Sequence, residues 1–134
     1  LNGLVIATNS ANHTIDGQGK AVTLNAGAWL VLGRSLDKAA NGDTPVAYSY
    51  GNLAMGNSGG EVALIANGVE IDRVDYGVSA PWPGAHTAQS IQLQQAQTND
   101  VSNDLGANWC LSVQGYGNKG MSGTPGLANF CPQG

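Results

Sequence analysis

Glu70, Asp72 and Asp75 lie together in one run, Val69-Glu70-Ile71-Asp72-Arg73-Val74-Asp75-Tyr76. Two carboxylates that converge in a cleft with separated pKa values can run general acid–base chemistry. At a strand period Glu70 and Asp72 fall on one face and Asp75 on the other, and a single β-arm supplies no cleft. A structural role is therefore expected, and no catalytic residue is assigned. A second cluster, Asn99, Asp100, Asn103 and Asp104, offers hard oxygen ligands in one loop, the chemistry of a calcium site. Its spacing departs from the EF-hand pattern, and Asn and Asp are also ordinary turn residues. Calcium at these four residues is the one cofactor reading, and otherwise none is expected.

His13 and His86 have no Cys or acidic neighbour in sequence that suggests a metal or a triad. Ser58 and Ser122 sit in Gly-rich turns without the strand–turn–helix setting of a hydrolase nucleophile. Gly115-Tyr116-Gly117-Asn118-Lys119-Gly120 lacks the helix that a phosphate-cradling loop needs. Flat aromatics on a β-protein can stack on sugar rings, which singles out Trp82, between Pro81 and Pro83, together with Tyr116. The other reading makes Trp82 a cap on the end of the fold. Trp29 and Trp109 lie within apolar runs and are expected in the core. Cys110 and Cys131 match no zinc spacing and read as a disulfide, with two buried thiols of a cytosolic protein as the other reading.

These groups must be positioned by strands. The apolar pattern has period two or forms short runs, and nowhere holds a helical period. Strands are expected at Leu4–Thr8, Ala21–Leu24, Trp29–Leu32 (buried on both faces), Val46–Tyr50, Glu61–Ala66, Val69–Tyr76, Ser90–Gln94 and Asn108–Val113. Asn67-Gly68 between two such runs is the strongest short hairpin signal, because a type I′ turn needs positive φ at both central residues. A bulge near Asp72-Arg73 would restore an apolar inner face to the second arm. Ser35–Ala40 has the makings of a helical turn but is read as loop.

Composition agrees. The 134 residues fit one domain, with neither an internal repeat nor a boundary, and include 20 glycines suited to tight turns. Charged residues make up only 10%, far below the roughly 25% of an average soluble domain. With a net charge of −4 and the five basic residues scattered, no patch for nucleic acid or anionic lipid exists. No apolar run approaches the ~20 residues of a membrane span. The start at Leu1, without Met or a signal-peptide pattern, suggests a processed or excised piece of a longer chain. Low charge and the cysteine pair favour a secreted or cell-surface setting.

The order of these signals resembles the lamin-tail domain family, in its secreted bacterial form. The resemblance rests on Leu1-Asn2-Gly3-Leu4, Ala26 to Gly33, Leu53 to Leu64, and Ile71-Asp72-Arg73-Val74-Asp75-Tyr76. It continues through Trp82-Pro83 with Ser90-Ile91-Gln92-Leu93, then Asn108-Trp109-Cys110-Leu111-Ser112, and Gly123-Thr124-Pro125-Gly126 with Asn129. It implies an immunoglobulin-like antiparallel β-sandwich over residues 1–134, and a role for Asp72 in fixing the turn or pairing with Arg73. Family members open with two further strands that have no counterpart here, so either they have been cut away or a strand from another chain completes the sandwich. The implied function is a non-catalytic interaction or assembly module, joined to a protein partner or a second copy. The alternative is a carbohydrate-binding appendage of an extracellular enzyme.

Overall fold

In the computed structural model, which describes residues 1–132, the Asn67-Gly68 pair closes the hairpin as the dipeptide demands. Asn67 has φ 51° and Gly68 φ 78°, the left-handed pair of a type I′ turn. The turn joins strands that we number in chain order, beginning with β1 (Val5–Thr8), β2 (Asn12–Thr14), β3 (Leu32–Gly33) and β4 (Tyr48–Ser49). The hairpin arms are β5 (Gly60–Ala66) and β6 (Val69–Tyr76), followed by β7 (Ile91–Leu93), β8 (Trp109–Leu111), β9 (Gly115–Tyr116) and β10 (Met121–Ser122). The fold is all-β. Its main sheet is antiparallel in the order β2-β1-β5-β6. Three two-stranded ladders accompany it: β3 with β4 (parallel), β7 with β8, and β9 with β10.

The core lies between one face of the main sheet and the β3–β4 ladder. Ile6, Ile15 and Leu53 are buried at its centre, with Val62 and Leu64 from β5 and Leu32, Tyr48 and Tyr50 from the facing ladder around them. The strand alternation explains which side chains arrive there, since Ile6 pairs with Leu64 across β1 and β5.

Several elements differ from expectation. Ala21–Leu24 is not a strand, because its backbone is held by a side chain instead of a ladder. Asn2 Oδ1 accepts from Val22 N–H at 2.8 Å, and Asn2 Nδ2 donates to the Lys20 carbonyl at 2.9 Å. Trp29–Leu32 shrinks to Leu32–Gly33, and Trp29 stands 46% exposed. A continuous apolar run signals hydrophobicity without saying that neighbours exist to cover both faces. Residues Lys38–Asn41 form a helical turn, α1, where a loop was expected. Asp37 caps its start by accepting from Ala39 N–H, and Gly42, at φ 73°, closes it.

The bulge falls at Ile71, just before the expected position, between the pairs Leu64–Asp72 and Ile65–Glu70. The extra residue moves Glu70 to the face that carries Arg73 and Asp75, away from Asp72. The expected sharing of a face by Glu70 and Asp72 is thereby overturned.

Candidate functional site

Arg73 shows what the bulge accomplishes. Glu70 lies three residues away, which in a regular strand would put it on the opposite face. Brought round, Glu70 accepts from Arg73 Nε at 3.1 Å and from Nη2 at 2.6 Å, while Arg73 Nη1 is paired with Glu61 of β5. The hydrogen bonds from Arg73 hold the Glu70 carboxyl below its usual range, and those to Glu70 and then Glu61 hold the Arg73 proton more firmly. Asp72 therefore does not pair with Arg73, as the resemblance implied. It faces the opposite way and accepts from Asn103 Nδ2 at 2.8 Å.

Strand β6 ends the main sheet, so one side of its backbone has no strand partner. The orientation follows from the register. Glu61 N–H is taken by Asn9 Oδ1 beside β1, so Glu61 and Ala63 turn their backbone groups to β1, and Gly60, Val62 and Leu64 turn theirs to β6. Their partners Tyr76, Val74 and Asp72 consequently face inward. Arg73 and Asp75 direct N–H and C=O groups outward. That edge borders a groove of about 460 Å³ walled also by Glu70, Asp72, Asp100 and Asp104.

The loop supplying Asp100 and Asp104 is shaped by its own asparagines. Asn99 Oδ1 accepts from Val101 N–H at 3.2 Å and Ser102 N–H at 2.9 Å, starting the 3₁₀ turn Ser102–Asp104. Asn103 is 7% exposed and turned to Asp72. Trp109 Nε1 donates to the Asn103 carbonyl at 2.7 Å and so fixes the loop to β8. Of the four expected calcium ligands, only Asp100 and Asp104 line the groove. Among the described residues no three His, Cys, Asp or Glu side chains are grouped to hold a metal ion.

Strand β7 carries a second free edge. Ser112 N–H donates to the Ser90 carbonyl and Gln94 N–H to the Asn108 carbonyl, in register with the pair Gln92–Cys110. Even-numbered residues of β7 thus face β8, and Ile91 and Leu93 face away. The Leu93 carbonyl accepts from Asn129 Nδ2 at 2.8 Å. The N–H groups of Ile91 and Leu93 and the Ile91 carbonyl have no strand opposite them among the described residues. They border a groove of about 490 Å³ lined also by Val31, Leu32 and Gly33 and by Thr124, Pro125 and Asn129 of the terminal segment.

The Gly-Thr-Pro-Gly segment and Asn129 hold β7 from the groove side. The Thr124 hydroxyl lies 2.8 Å from Asn129 Oδ1 and 3.1 Å from Gln92 Oε1, and Gln92 Nε2 donates to the Phe130 carbonyl. Cys110 and Cys131 form a disulfide, with an S–S distance of 2.05 Å. A Cβ at Gly123 would come 2.8 Å from the Tyr116 ring, so glycine is needed for that close approach.

Trp82 and Tyr116 are not brought together as a sugar platform. Trp82 is half-buried, with its ring centroid 5.7 Å from that of Trp109, and it lies so close to Gly106 that a Cβ there would come within 2.9 Å. Tyr116 instead lines the β3–β7 groove. One contact had no signal in the sequence: His13 Nε2 lies 2.7 Å from the Tyr48 hydroxyl, which also accepts from Asp16 N–H at 3.0 Å. The partners are far apart along the chain, and only the packing of β2 against β4 joins them. Compared with known protein families, curated proteins and solved structures, the chain gives no match.

Proposed function

We propose that this chain is a non-catalytic assembly module of a secreted or cell-surface protein, immunoglobulin-like and of the lamin-tail kind. Its β3–β7 groove takes an extended strand from another chain. The observation that carries this reading is the free edge of β7 facing β3 across the groove. A strand laid there would pair with Ile91 and Leu93 and join two ladders that are separate without it. Its apolar side chains would cover surface left open by a small core. Only five apolar residues are buried among the described residues, and Val31, Leu32, Val46, Ile91 and Leu93 line the groove only half-buried. The disulfide fits an oxidising compartment. No helix among the described residues is long and apolar enough to cross a membrane.

The test is the native mass by light scattering, coupled to amide hydrogen exchange at Ile91 and Leu93. A particle heavier than one chain, in which these two amides are protected, is expected. A monomer whose Ile91 and Leu93 amides are already protected would overturn the reading, because the edge would then be filled from within.

A further inference from the structure

We propose that the outer edge of β6 is a second docking site, one that takes an extended segment of a different polypeptide with Lys or Arg at alternate positions. Two independent features meet there. The first is a strand edge whose outward N–H and C=O groups, at Arg73 and Asp75, are spaced to pair with an added strand. The second is the charge of the groove beside it. Five of the nine acidic residues of the chain, Glu70, Asp72, Asp75, Asp100 and Asp104, line it together with the single cation Arg73.

That cation is committed to Glu61 and Glu70, which leaves Asp72, Asp75, Asp100 and Asp104 without an ion-pair partner among the described residues. The groove therefore carries an excess of negative charge that a basic partner would offset. A strand with basic side chains at every second residue would direct them to one face, that of Asp72, beside which the loop carrying Asp100 and Asp104 lies, while its backbone pairs with β6. A second copy of this chain does not fit the requirement. Its basic residues are Lys20, Arg34, Lys38, Arg73 and Lys119, and no strand carries two. The site lies on a different strand from the β3–β7 groove, so neither proposal depends on the other.

The probe is a synthetic peptide alternating Lys and Thr, titrated into the full chain and followed by calorimetry. Two further peptides of the same composition accompany it, one with its lysines in a block and one N-methylated at alternate amides. The alternating peptide is expected to bind, the N-methylated one to lose at least about tenfold in affinity, and added salt to weaken binding. Asp100→Asn/Asp104→Asn is expected to weaken it by roughly tenfold. Both residues are exposed, so the variant tests charge without disturbing packing. Equal affinity for all three peptides would reduce the site to diffuse electrostatics and overturn the proposal, as would the absence of binding. Calcium binding that the double variant abolishes, with no peptide bound, would also overturn it and assign the groove to an ion.

Discussion

The Glu70–Arg73 pair depends on one inserted residue, and its charge chemistry can be followed by pH. Glu70 has its carboxyl held below the ordinary 4.5 by the Arg73 hydrogen bonds. A group whose folded pKa is depressed contributes stability above its unfolded pKa and loses it as pH falls through the folded value. Glu70→Gln should therefore lower Tm at about pH 7, with the gap to the parent chain closing toward about pH 3. Because the pair is exposed the effect should be small, and a gap that persists in acid would mean that Glu70 acts through packing. At this scale the carboxylates were visible in the sequence, but their partners were not. The alternating pattern assigns Glu70 to the face of Asp72, and a bulge, which depends on how β5 and β6 register, reverses that assignment.

Among the elements, β7 is paired with β8 on one edge, while on the other only the Leu93 carbonyl is taken, by Asn129 of the terminal segment that the disulfide ties to β8. The two cysteines are separated by 21 positions, and in the chain-entropy model closing such a loop stabilises the fold by about 3 kcal/mol. Cys110→Ser/Cys131→Ser should shift the urea midpoint downward by a corresponding amount with little change in m-value. A loss far below about 1 kcal/mol would show that Thr124 and Asn129 hold the segment alone. The β5–β6 hairpin was legible because Asn-Gly and the flanking apolar runs are local signals. Strand β2 carried no signal, and β3 and β4 were blurred because their lengths depend on what lies beside them. Val46–Tyr50 reduces to Tyr48–Ser49, since β4 has only the two residues of β3 to pair with.

Taken whole, the molecule distributes its few charges unevenly. A net charge of −4 over 134 residues is modest, yet five of nine acidic groups face one groove. Screening acts over a Debye length of about 10 Å at 0.1 M, which spans such a cluster. Tm is expected to rise between about 0.02 and 0.2 M NaCl, and the rise to shrink in Asp100→Asn/Asp104→Asn. A flat response in the parent chain would mean that the carboxylates lie too far apart to strain the free protein. Among the described residues the outer edges of β6 and β7 have no strand partner, and they lie on separate strands of the molecule.

By itself the sequence determined the all-β class, the hairpin, the Cys110–Cys131 pair and the scattering of basic charge. Each of these depends on local backbone preference, on alternation or on a simple count. Only the tertiary structure decided that Asp72 meets Asn103, that Arg73 joins Glu61 to Glu70, and that Trp82 lies over Gly106. It also decided which strand edges stay open. Those outcomes follow from register and from contacts between residues distant along the chain, and a one-residue shift in pairing is enough to exchange the faces on which charges stand.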